Sequence, residues 1–412
     1  MKVLMVNTYD IRGGAARSAL RVYGALKSHG VDVQLMVQNK WGNDPKILGP
    51  SGKLGKFAAE LRPYVDFAIA FPWHRKRIPF FPAYIPGNFL KRVEEVKPDL
   101  IHLNWITGGF VRLESLAELK VPVIWTLHDM WAFTGGCHYT EECTRYLKNC
   151  GACPILKSKR DSDPSRWIFN RKLKTYSRMK DLTFITPSRW LADCAKQSTL
   201  LKDFPVVVIP NSLDRGSFFP EDKTLARKHF GFEPGKKIIL FGALDATKNR
   251  LKGFPELAAA LQLIDNKKNY ELAVFGSARG EKDLLPGFSA RYFGHIADDG
   301  ELRRLYCAAD VMVVPSIQEV FGQTATEAMA CGTPVVAFGA TGLLDIVEHR
   351  VNGYLAEPFK PEDLAAGIIW CTENPMRSRE LSSAAMNTVA NRFDMEKNIH
   401  EIKELYQLKI KN

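Results

Sequence analysis

Short apolar, β-branched runs recur along this chain with amphipathic stretches between them, the pattern of parallel sheets whose two faces are covered by helices. In the first half the runs are residues 3–6, 33–37, 100–103, 123–127, 183–186 and 206–209. Each is continuous rather than alternating, as a strand buried on both faces requires. The expected fold class is therefore α/β. The series breaks at Pro210-Asn211-Ser212-Leu213-Asp214 and restarts with residues 238–241, 271–275, 311–314 and 334–337. A hinge there separates an expected first domain, 1–210, from a second, 215–385. The stretch 386–412 has helical spacing and no strand, and is free to pack back on the first domain.

A chain of 412 residues can bury two full cores, and with 46% hydrophobic and 25% charged residues it is neither disordered nor fibrous. Met1 to Asn7 lacks an apolar signal segment, and the longest apolar stretch, residues 65–73, is interrupted by Asp66 and Pro72. These features lead to the expectation of a cytoplasmic protein with no spanning helix. The charge is uneven: residues 1–210 hold 32 Lys and Arg against 18 Asp and Glu, a net +14, whereas the remainder holds 25 against 27. Residues 53–97 interleave cations, Arg75, Lys76 and Arg77 among them, with Phe57, Tyr64, Phe67, Phe71, Trp73, Phe80, Phe81 and Tyr84. Such a surface suits anionic lipid at the inner face of a membrane, or is simply a solvated face. Nucleic acid is not expected, since no recognition motif accompanies the charge.

The segment 311–342 reads as a buried strand ending at Pro315, a loop with Glu319, and a helix that starts near Phe321, Gly322 and Gln323 and runs through Glu327. Open α/β sheets bind ligands at the carboxyl ends of their strands, and free amides at a helix start attract a diphosphate. Glu319 and Glu327 are placed to meet hydroxyls, although a first-turn acid and a solvated helix residue would read the same. A second segment, 238–254, is a strand, a glycine turn and the cations Lys248, Arg250 and Lys252, suited to a departing diphosphate or left as solvated loop charges. Near the start, the strand leads through Arg12-Gly13-Gly14 into a helix, where glycines let backbone approach a ligand. His128 and Asp129 follow the run 123–127 at another carboxyl end.

Glu319-x7-Glu327, set in the frame VPS…E…FG…EAMA.G.PVVA, resembles glycosyltransferase family 4, and the resemblance covers essentially the whole chain in order and spacing. It implies a GT-B fold, with two Rossmann-like doubly wound domains facing a central cleft, and a retaining transfer from a nucleotide sugar. By the same resemblance Glu319 bonds the donor sugar, Glu327 the ribose, Lys252 of the Lys-Gly pair the diphosphate, and His128 stands near the anomeric centre. Phe321, Gly322 and Gln323 then belong to the donor side, and Gly13 and Gly14 to the acceptor side. Ala243 stands where the family has arginine, leaving Lys248 or Arg250 as the substitute. The acceptor is expected to be a saccharide or lipid-linked saccharide in surface polysaccharide or glycoconjugate synthesis. A nucleotide-sugar epimerase or a sugar-binding subunit of an assembly complex are the rival readings.

No Asp-x-Asp lies at a strand end near the donor segments, so no cofactor is expected for catalysis. Cys137, Cys143, Cys150 and Cys153 crowd into 17 residues with spacing C-x5-C-x6-C-x2-C, beside His138. The cluster admits two readings, a structural zinc or free thiols.

Overall fold

A computed structural model describes residues 1–73, 80–278 and 285–411. It divides into two compact units, Met1–Ile209 with Asn398–Asn412, and Pro210–Lys397.

The first unit carries a seven-stranded sheet in the order β3-β2-β1-β4-β5-β6-β7. Its strands are β1 (Lys2–Tyr9), β2 (Asp32–Asn39), β3 (Ile47–Leu48), β4 (Leu100–Leu103), β5 (Val123–Thr126), β6 (Leu182–Thr186) and β7 (Val206–Val208), all paired in parallel. Val3, Leu4, Met5 and Val6 are all fully buried, which is why β1 shows no polar alternation. The winding direction reverses between β1 and β4. From Asn398 onward the helix Met395–Lys411 belongs to this unit. Tyr406 bonds His102 Nδ1 on β4 (2.5 Å), His102 Nε2 meets Thr126 Oγ1 on β5 (2.7 Å), and Lys409 pairs with Asp181 (2.6 Å). Burial pushes the His102 imidazole down to about 3, with His128 adding a smaller repulsion, so the ring that ties this helix to the sheet is neutral.

The second unit has a six-stranded parallel sheet in the order β10-β9-β8-β11-β12-β13. Its strands are β8 (Lys237–Gly242), β9 (Tyr270–Phe275), β10 (Ser289–Tyr292), β11 (Val311–Val314), β12 (Val335–Phe338) and β13 (Gly353–Ala356). Successive residues point to opposite faces. Ile238, Leu240 and Met312 join one core with Tyr306 and Met329, while Ile239, Phe241 and Val313 join another with Leu257 and Ile368. Here the winding reverses between β8 and β11.

Three strands escape a reading by apolar runs: two-residue β3, the edge strand β10 with the sequence Ser-Ala-Arg-Tyr, and glycine-led β13. The stretch from Met386 is not one helix. Helix Pro375–Arg392 ends, Phe393 and Asp394 intervene, and Asp394 Oδ1 accepts from Glu396 N (2.9 Å) at the start of the last helix. Among the described residues no helix is long and apolar enough to cross a membrane.

Candidate active site

In the second unit, the turn after β8 and the loop after β11 meet at the point where the winding reverses, the usual ligand position in an open α/β sheet. Their meeting depends on Gly253. Its φ of 73° is left-handed, and a Cβ there would stand 1.7 Å from the carbonyl oxygen of Pro315 at the end of β11. The close approach is stitched by Ile317 N donating to Leu251 O (2.9 Å). It brings Lys252 Nζ to 2.6 Å from Glu319 Oε2, an oxygen that also accepts from Ser316 Oγ (3.3 Å). Glu319 is steadied from the β12 side as well, its N–H donating to Thr341 Oγ1 (3.1 Å) and its carbonyl accepting from Gly342 N (2.9 Å).

Helix Gln323–Ala330 begins after Gly322, whose φ is 111°. Gln323 is half-buried at its first position. Glu327 is 2% exposed and accepts from Tyr306 OH (3.0 Å), so it is not a solvated helix residue. Phe321 packs edge-on against Phe393 inside the core (ring centroids 5.5 Å apart), which takes its side chain away from any donor-facing position. The loop cations separate in the same way. Arg250 is claimed by both carboxylate oxygens of Glu256 (2.8 and 2.5 Å), whereas Lys248 is exposed and pairs with no carboxylate among the described residues.

In the first unit Gly13, with φ 92°, precedes helix Gly14–Ser28, and a Cβ on it would meet nothing within 4 Å, so the backbone here is open. His128 lies beyond β5 with Nε2 3.0 Å from Asn104 Oδ1. Because Asn104 Nδ2 donates to His102 O (3.4 Å), its Oδ1 is the acceptor, so His128 Nε2 carries the hydrogen. Burial pushes His128 down to about 4, leaving a neutral ring at physiological pH. Asp129 does not orient His128. It accepts from Trp131 N (2.8 Å) and Trp105 Nε1 (2.8 Å) and pairs with His138 Nδ1 (2.5 Å). Burial alone would push the Asp129 carboxyl up, but His138 and these N–H donors hold it below the usual range.

His138 is held by Asp129 through Nδ1, and its buried Nε2 has no hydrogen-bond partner among the described residues. Cys137, Cys143, Cys150 and Cys153 line one apolar cavity of about 20 Å³, and all are free thiols. Among the described residues no group of three or more His, Cys, Asp or Glu is arranged to hold a metal ion. Burial pushes the thiols of Cys137 and Cys153 up and that of Cys150 up to about 12, with the neighbouring cysteines adding to the shift.

Two doubly wound parallel units of this kind, each with side chains gathered where its winding reverses, define a GT-B-type glycosyltransferase fold. The models described as "Glycosyltransferase Family 4" and "Glycosyl transferases group 1" match residues 12–216 and 222–388. The D-inositol 3-phosphate glycosyltransferase of Paenarthrobacter aurescens is 32% identical over 377 residues, 84% of this chain and 80% of that one. The chain belongs to this glycosyltransferase family. The enzyme of the same name from Segniliparus rotundus is 36% identical over 203 residues, and the chain spans only 44% of its length. Among solved structures, sucrose-phosphate synthase of Thermosynechococcus elongatus matches with a TM-score of 0.71 at 20% identity over 99% of both chains. Anabaena HepE in complex with UDP-glucose matches at 0.65 and 19%, again over 99% of both. At such identities the likeness is one of fold.

Proposed function

We propose that the chain transfers a sugar from a nucleotide-sugar donor to a saccharide or lipid-linked acceptor, with retention of anomeric configuration, in the making of surface polysaccharide or glycoconjugate. The Lys252–Glu319 pair, poised where the winding of the second sheet reverses, carries this reading. A carboxylate held by Lys252 and Ser316 keeps lone pairs for the hydroxyls of a donor sugar, while the ammonium beside it meets the charge that grows on the departing diphosphate. Lys248 is the second cation in this role, since Arg250 is already neutralised by Glu256. The amides opening helix Gln323–Ala330 add fixed partial positive charge, and Glu327, held by Tyr306, bonds the ribose. These groups balance the diphosphate without a divalent cation. In the first unit His128 is a neutral hydrogen-bonding group suited to a sugar hydroxyl.

The reading is tested by thermal unfolding in UDP-glucose, UDP-N-acetylglucosamine and GDP-mannose. One of them is expected to stabilise the protein by about 2.7 kcal/mol at a hundred times its Kd. Glu327→Ala should weaken that ligand by about 1–3 kcal/mol through the lost hydroxyl bonds. Silence toward every nucleotide sugar, or full affinity in the variant, would sink the assignment.

Attachment to an anionic bilayer belongs to the same proposal, and its physical support has moved within the sequence. Phe67, Phe80 and Phe81 are core residues, and Arg75, Lys76 and Arg77 lie outside the described residues. Helix Gly52–Phe67 instead buries Ala59, Pro63, Asp66 and Phe67 on one side. On another it exposes Leu54, Phe57, Leu61, Tyr64 and Val65, a stripe of helical spacing flanked by Lys53 and Lys56. Burying one large apolar side chain contributes about 1.5–3 kcal/mol, so Leu54→Ser with Phe57→Ser should cut sedimentation with phosphatidylglycerol vesicles at least about tenfold. Wild-type sedimentation by the double variant would assign the stripe to another partner.

A further inference from the structure

The first unit gathers a row of aromatic rings at the carboxyl ends of three successive strands of its sheet, on both sides of its own winding reversal, with an aspartate at the end of the fourth. Trp41 follows β2, Tyr9 ends β1, Trp105 follows β4, and Asp129 follows β5. Tyr9 is stacked between the two tryptophans, with ring centroids 5.7 Å from each and interplanar angles of 27° to Trp41 and 22° to Trp105. The row continues to His138, whose ring centroid is 5.5 Å from that of Trp105.

Polar side chains with no other evident purpose hold the rings in place. Asp10, fully buried, accepts from Trp41 N (2.9 Å) and Gly42 N (2.7 Å) and so clamps the loop after β2 onto β1. Asn7 accepts from Trp105 N (2.9 Å), and Thr8 N and Oγ1 both donate to Trp105 O (2.7 and 2.9 Å). The indole itself is locked through Nε1 to Asp129, which the buried His138 holds from the other side. An aromatic core cluster does not need Trp105 fixed at both backbone and side chain. Nor would it leave Trp41 43% exposed and Tyr9 and Trp105 only half-buried. A preorganised ligand surface needs both.

We propose that Trp41, the exposed end of the row and braced from behind by Tyr9 and Trp105, is a stacking platform for a pyranose ring of the acceptor, so that the first unit selects its acceptor by the apolar face of a sugar. The inference rests on the transferase reading above and names its acceptor class. Aromatic faces carry negative quadrupolar charge, and the C–H groups on one face of a pyranose, polarised by neighbouring oxygens, are their natural partners. His128 and Asn104, at the ends of β5 and β4 beside the row, supply fixed polar groups for hydroxyls.

Saturation-transfer NMR with the full chain, using methyl α-glucopyranoside, methyl β-galactopyranoside and myo-inositol 1-phosphate as probes, tests the proposal. One glycoside is expected to bind with saturation concentrated on the C–H groups of one ring face. Trp41→Ala, which removes an exposed side chain, should raise its Kd about tenfold, while Trp41→Phe retains most of the affinity. Thermal shifts by nucleotide sugars on the same proteins separate the two readings. Donor shifts in wild-type protein, combined with no glycoside binding, with binding of the inositol phosphate alone, or with unchanged affinity in Trp41→Ala, overturn the platform and leave the transferase standing. No donor shift in the wild type overturns both.

Discussion

Replacing Lys252 by alanine is expected to lower turnover in sugar transfer by a factor of roughly 10²–10³, the usual loss when one preorganised group that meets developing charge is removed. Lys252 Nζ and Glu319 Oε2 are 2.6 Å apart, and both side chains are largely withdrawn from water. The ammonium therefore acts on leaving-group charge with little solvent screening, and its removal also leaves Glu319 without its cation. Donor affinity should fall much less than turnover, because the charge to be met grows in the transition state. Arg250→Ala is the matched control. Its guanidinium is spent on Glu256 in an exposed pair, so turnover should stay within about twofold of wild type. Equal losses in the two variants, or near-normal turnover in Lys252→Ala, would show that the Lys252–Glu319 geometry is structural.

Acid should destabilise the first unit, and His102 supplies a large, separable part of the effect. Its pKa falls from 6.5 to about 3 on folding, chiefly through burial, so the unfolded chain binds the extra proton across that interval. Stability is then complete above the unfolded pKa and is lost as pH falls through 6.5 toward 3. Between pH 7.5 and pH 5 the loss is about 2 kcal/mol for His102, and His128, held down at about 4, adds a comparable loss over the same range. Asp66 works the other way. Burial raises its carboxyl to about 6, so the folded state takes up the proton first and regains about 1 kcal/mol over the same range. Lys172, lowered by burial to about 7, also titrates in the folded state within this window; taking the proton back in the folded state while the unfolded chain never lost it removes about 0.8 kcal/mol of stability between pH 7.5 and pH 5. Urea midpoints at the two pH values should show the net loss, and His102→Gln, which can still bond Tyr406 and Thr126, should remove about 2 kcal/mol of the dependence. An unchanged slope in His102→Gln would mean that another group governs acid sensitivity.

The loop cations illustrate how far local sequence reaches. Lys248, Arg250 and Lys252 are equivalent as charges in a turn after a strand. They become distinct only because Gly253 lets the turn press against Pro315 and because Glu256, in the first turn of the helix that follows, captures Arg250. Phe321 sits within the most informative motif, yet its ring goes to the core, since residues flanking a helix start must fill the space under it. The cysteine spacing left a structural zinc or free thiols open, and it is the fold that gathers the four side chains around one apolar cavity and pairs His138 Nδ1 with Asp129. The aromatic platform had no motif at all. Tyr9, Trp41 and Trp105 are spread over 97 positions, and the signal that would have found them is an aromatic residue at the end of three runs that prove adjacent in the sheet.

By itself the sequence determined the α/β class, the ten most apolar strands, the break between two units and the Glu319-x7-Glu327 frame, because burial on both faces of a parallel sheet and the geometry of a strand–loop–helix are local demands. Strands β3, β10 and β13 were decided by tertiary structure, since short or edge strands need no apolar run when a neighbour supplies the ladder. The partners of each charge, the neutrality of His102 and His128 and the stacking of three distant rings were decided there as well. Those properties belong to distances between strands that sequence order does not encode, and only the winding of the two sheets sets them.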